Sequence, residues 1–232
     1  MKSLQPNPNK RRGFLKQFLA GAATLGAGIF ALPGVVSAAE KLASPDASEA
    51  DEWFKKVKGK HRIMFDVTGP HGVFPFAWPR VFLMSNGKTG TPPEECGVVV
   101  VLRHSGAAYA MGDQLWEKYK FGEFFKINDA DGKAPATHNP FWQPKPGTYK
   151  GAGVSDIHIG INELQESGVM FCVCDMALSA LSAAFAEKLK QDAAAIKKEW
   201  LEGLLPGVQL VPSGVWAVGR AQEHGCAYCF AS

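Results

Sequence analysis

Short apolar runs separated by stretches of helical spacing make up most of this chain. His61 to Val67 (HRIMFDV) predicts a first strand, ended by the turn pair Gly69 and Pro70. Val98 to Leu102 (VVVVL) is an unbroken apolar run dominated by valine, which suits a strand buried on both faces of a parallel sheet. Gly168 to Cys174 (GVMFCVC) and Val208 to Val211 (VQLV) repeat the pattern, and Ala227 to Phe230 completes five strands. Helices are expected near Phe76 to Met84, Gln114 to Tyr119 and Val215 to Gln222. The clearest puts Leu178, Leu181, Phe185 and Leu189 on one face and leaves Glu187, Lys188 and Lys190 to water. Strands of this kind alternating with helices predict a three-layer α/β/α domain around a mainly parallel sheet, with right-handed crossovers.

Two stretches break this rhythm. Residues 39–52, rich in Ala, Ser, Pro and acidic residues, read as a linker, so the domain is expected to run over 53–232 from about Trp53. Asn128 to Gly153 carries Pro135, Pro140, Pro144 and Pro146 among many glycines and reads as a long inserted loop. Its Phe141 and Trp142 have no periodic core face to join. They are candidate ligand-binding residues of a lid, or a subunit contact, or else they pack on the domain. Asp129, Asp131 and Gly132 open like a calcium loop, but the spaced third ligand and closing Glu are missing.

The first 38 residues change the reading of charge. Lys10 to Lys16 (KRRGFLK) places Arg11 and Arg12 before Phe14 and Leu15, ahead of a weakly apolar stretch from Gln17 to Val36 and the small residues Ser37, Ala38 and Ala39. That is the plan of a twin-arginine export signal cut after Ala38. It implies passage through the twin-arginine translocation machinery and a periplasmic location. A retained anchor is the alternative, since about 20 apolar residues just span a bilayer; Gly21, Gly26, Gly28, Pro33 and Gly34 dilute its hydrophobicity. The net charge of +3 rests on Lys2, Lys10, Arg11, Arg12 and Lys16, with no acid before Ala38, so the remainder is slightly acidic. The basic excess is an address and not a nucleic-acid footprint. A 46% apolar and 20% charged composition leaves no case for disorder beyond the ends.

The run GVMFCVCDMALSAL, a long helix and VQLVPSGVWAVGRAQEHGCAYC together resemble the DsrE/YchN-like family of small α/β proteins, several of which handle sulfur. The matching positions are Gly168, Val169, Phe171 and Cys174, then Val211, Pro212, Ser213, Gly214, Val215, Arg220, Ala221, Gln222, Gly225 and Tyr228. The likeness is best over Gly168 to Tyr228 and looser over Glu95 to Asp129. It implies a DsrE-like fold, a sulfur-handling cysteine at Cys174, and a homo-oligomer, trimer or hexamer. The export signal and the inserted loop depart from the family's usual cytosolic pattern.

The residues themselves point to the same thiol. Cys174 stands where a buried strand meets a helix, so the helix dipole and free backbone N–H groups favour its thiolate, while the neighbouring Asp175 opposes it. Arg103, His104 and Ser105 follow the VVVVL strand directly, where α/β proteins place ligand-binding groups; His104 is a candidate base, metal ligand or cationic partner for a thiolate. Cys172 and Cys174, two apart on a strand, share a face and are near enough to share a metal. Cys226 and Cys229 form CAYC, which invites a redox or zinc reading; on a strand the two would face opposite sides, roughly 10 Å apart at about 3.3 Å per residue. A disulfide, structural or between chains, suits an oxidising compartment. Cys96, His71, His138 and His224 have less context. No GxGxxG, Walker, HExxH or Ser/His/Asp signature identifies a cofactor or an enzyme class. Three functions stay open: a sulfur or redox carrier working through Cys174 with His104, a metal-binding protein using some of the cysteines and histidines, and a non-enzymatic oligomeric binding or scaffold protein.

Overall fold

The computed structural model of the protein describes residues 46–151 and 156–231. Arg11, Arg12, Phe14, Leu15 and Ala38, which carry the export reading, lie outside the described residues. Helix α1 (Ala47–Phe54) is followed by β1 (His61–Val67), α2 (Phe74–Lys88), β2 (Cys96–Leu102), α3 (Asp113–Tyr119), α4 (Phe121–Phe125) and α5 (Ile161–Glu166). The second half runs β3 (Met170–Cys174), α6 (Asp175–Leu189), α7 (Ala193–Glu202), β4 (Val208–Val211), α8 (Gly214–Glu223) and β5 (Ala227–Phe230). Short 3-10 turns precede β2 and, at His104–Ala110, follow it.

The five strands form one all-parallel sheet in the order β4-β3-β2-β1-β5. From β1 to β4 the chain steps in one direction, and right-handed crossovers therefore lay α2 to α7 on one face. The step from β4 back to β5 reverses direction and sends α8 to the other face, beside α1. The core divides accordingly. Phe65, Val98, Val100, Leu102, Phe171 and Val173 meet Phe76, Trp116, Leu178 and Trp200 on the first face. Met64, Val99, Val101 and Cys172 meet Trp53, Phe54, Ala217 and Ala221 on the second. Every residue of β2 is buried, as a central strand covered on both sides requires.

Several boundaries differ from the sequence expectation. Residues 47–52, expected as linker, belong to α1: the Asp46 carboxylate accepts from Ser48 N at 2.8 Å, and the helix buries Ala50, Trp53 and Phe54 against the sheet. The domain thus begins before Trp53. Helix α7 (AAAIKKEWLE) was hidden by its charges, and Leu189, expected on the buried face of α6, is exposed. The long loop is tied down by Asn139, whose buried Nδ2 donates to Tyr109 O at 2.9 Å and Met111 O at 3.0 Å. Phe141 is only 4% exposed, with ring centroids 4.3 Å from Phe76 and 5.1 Å from Tyr149. It packs as core, and Trp142 lies half-buried against the same layer. Both side chains thus pack on the domain.

Candidate functional site

In a parallel sheet all strands end on one edge, and ligands collect where neighbouring connections leave for opposite faces. Here that point lies between β3, whose chain continues into α6, and β4, whose chain continues into α8. Cys174 occupies it. The Leu102–Val173 pairing closes the β2–β3 ladder, so the next residues, Arg103 and Cys174, come side by side.

Each of the two helices meeting there has a side-chain cap. The Cys174 Sγ accepts from Ala177 N at 3.2 Å and so serves as the α6 cap, a place where N–H groups and the helix dipole favour negative charge. Ser213 Oγ accepts from Trp216 N at 3.1 Å and caps α8. Cys174 is 6% exposed, a buried thiol at the edge of the first core layer. Asp175, expected to oppose a thiolate, is itself engaged. Its carboxylate oxygens lie 2.7 and 2.9 Å from Lys197 Nζ, in an ion pair whose side chains are 12% and 5% exposed.

Arg103 is held by a group the sequence reading passed over. Asp66, 1% exposed, accepts from Arg103 Nε at 2.6 Å and Nη2 at 2.8 Å, and its Oδ2 accepts from the Tyr228 hydroxyl at 2.9 Å. These bonds to Asp66 are the main cause holding the guanidinium above its usual range against desolvation, and Tyr228 and Cys174 add to it. Burial and the Asp66 bond likewise push the Tyr228 phenol up. Gly214 is required beside them, because a Cβ there would lie 2.5 Å from Arg103 Cβ. Arg103 therefore lies against the first turn of α8 while part of its side chain stays exposed.

His104 and Ser105 reach the same edge but point elsewhere. His104 is exposed in left-handed backbone (φ 51°), with Nδ1 3.3 Å from Ser105 Oγ, and Ser105 Oγ donates to Thr68 O at 3.2 Å. Neither hydrogen-bonds Cys174. Phe141 and Trp142 belong to the core layer described above; Phe141 also lines a cavity with Tyr109 and Tyr149 under the long loop.

The remaining cysteines are not gathered into a centre. All five are free. Cys172 is fully buried in the second core layer with its thiol pushed far up by burial, whereas Cys174 belongs to the first layer, so the two do not share the face expected of them. Cys226 belongs to the second layer and Cys229 packs against the first, so the CAYC pair spans the sheet and forms no disulfide. Burial pushes the Cys226 thiol up to about 11 despite Arg62, and raises Cys229; burial, then Glu95 and Glu94, raises Cys96. Among the described residues no group of three or more His, Cys, Asp or Glu is placed to hold a metal ion. No described helix is long and apolar enough to cross a membrane.

Asp66 had a signal in the sequence, a lone carboxylate inside an apolar strand. Lys197 had none, because its helix reads as a solvated one. Comparison with known proteins adds little. No family model and no curated protein matches the chain. A solved structure of a protein of unknown function from Methanobacterium thermoautotrophicum is similar at 20% identity over 74% of this chain and 99% of that one, with a TM-score of 0.34.

Proposed function

We propose that the protein is an exported DsrE-like carrier that accepts sulfur on Cys174 and passes it on. One observation carries this reading: the Cys174 thiol caps a 15-residue helix at the point where connections diverge, beside Arg103, with the charge of its Asp175 neighbour offset by Lys197. The other four thiols are raised by burial and suit structural roles. The Cys174 thiolate attacks the outer sulfur of a donor persulfide R–S–SH. A Cys174 Sγ–S bond forms, the donor S–S bond breaks, and its electron pair leaves on R–S⁻. An acceptor thiolate reverses the step, so no oxidant or reductant is consumed. Arg103 offers unspent N–H donors to an anionic donor or leaving thiolate.

Export to the periplasm rests on the KRRGFLK segment and small-residue cut site, and a trimer or hexamer rests on the family resemblance. Exposed Met176 and Val215, on the first turns of α6 and α8, with Tyr228 and Phe230, support an assembly through this edge. The test is a small-molecule persulfide donor followed by peptide mass spectrometry. Wild type should gain one sulfur on the Cys174 peptide and release it to an added thiol, and Cys174→Ser should not. Equal sulfur uptake by Cys174→Ser would sink the proposal.

A further inference from the structure

The buried Lys197–Asp175 pair has no evident role in closing the core. Lys197 comes from the inner face of α7, with Ile196 and Trp200, and is sealed from water. Its partner is the first residue of α6, directly after the thiol. Burying a lysine is costly unless the charge is met, and an apolar residue at position 197 would fill the layer at less cost. A carboxylate at position 175 without Lys197 would place an unpaired negative charge next to the sulfur, at the low dielectric where repulsion is strongest.

We infer that Lys197 is a positioning residue for the Cys174 site, holding the Asp175 charge in a closed pair so that the sulfur meets helix amides and Arg103 instead of a bare anion. This rests on the sulfur-carrier reading only for its purpose; the charge relationship stands by itself. Among the described residues, the charged and titratable groups around the thiol are these. Arg103 approaches from the end of β2 with its partner Asp66, which also binds Tyr228; Cys172 lies two residues back on β3; Asp175 and Lys197 come from α6 and α7; His104 is exposed beyond Arg103.

The experiment is the rate of Cys174 alkylation by iodoacetamide on the full chain between about pH 5 and pH 10, read peptide by peptide. Lys197→Met should move the midpoint upward by about one unit, a tenfold slower reaction on the rising limb. Asp175→Asn should move it downward, and the double variant Asp175→Asn with Lys197→Met should return near wild type. The double variant removes both charges together, so it folds where a half-pair fails. A merely structural pair would shift both single variants the same way; that result, or a double variant retaining the Lys197→Met shift, overturns the inference. If Lys197→Met does not fold, a downward shift in Asp175→Asn and its reversal in the double variant still decide. Persulfide loading of wild type separates the two ideas: loading without the ordered shifts removes this inference alone, and ordered shifts without loading remove the carrier reading alone.

Discussion

Asp66 and Arg103, at the ends of neighbouring strands, meet as a two-pronged ion pair in which the carboxylate is sealed from water and the guanidinium side chain is 29% exposed. The pair ties β1 to β2 at the edge that carries Cys174.

Removing Arg103 leaves the buried Asp66 carboxylate with the Tyr228 hydroxyl and no cation. Arg103→Met should cost about 3–5 kcal/mol, and Asp66→Asn with Arg103→Met markedly less than that single change, because no bare carboxylate remains. Urea unfolding of the three proteins measures it.

Cys174 is a cap as well as a thiol. Cys174→Ala should lower stability by about 1 kcal/mol through loss of the acceptor for Ala177 N, whereas Cys174→Ser keeps an acceptor and should match wild type. Thermal unfolding of the pair separates the cap from the chemistry.

Phe141 distinguishes a lid from a core. Phe141→Ala should cost about 3–5 kcal/mol, since it empties a site between Phe76, Tyr109 and Tyr149. A loss below about 1 kcal/mol in urea unfolding would return the residue to a lid or subunit contact.

Alkaline pH should weaken the fold. The Cys226 thiol is raised in the folded protein to about 11, so its contribution is fully present below about 9, where both states hold the proton. It is lost as pH rises through the folded value, because the unfolded thiol ionises first. Two units correspond to about 2–3 kcal/mol at most. Cys172 acts in the same direction. Cys226→Ala should flatten the fall in urea midpoint measured between about pH 8 and pH 10.5.

The positions of the five strands were legible because a central parallel strand has no polar face, and runs such as Val98 to Leu102 announce it. Helix α7 was not, because Lys197 and Lys198 look alike in sequence and only packing against α6 makes one buried and leaves the other exposed. The start of the domain was missed because Asp46 and Ser48 look like linker residues until Trp53 and Phe54 find the sheet. Cys174 could be singled out because a strand-to-helix junction is local. Asp66, Arg103 and Tyr228 could not be joined, since they stand 37 and 162 residues apart.

The amino-acid order alone determined what depends on near neighbours: the alternation of strand and helix, the place of Cys174 at a helix start, and the arginine pair that motivates the export proposal. Tertiary structure decided what depends on distant ones. It paired Asp175 with Lys197, drew Phe141 into the core and split the CAYC pair across the sheet. Burial and pairing arise only when separate segments exclude water together, and no local pattern encodes which segments those are.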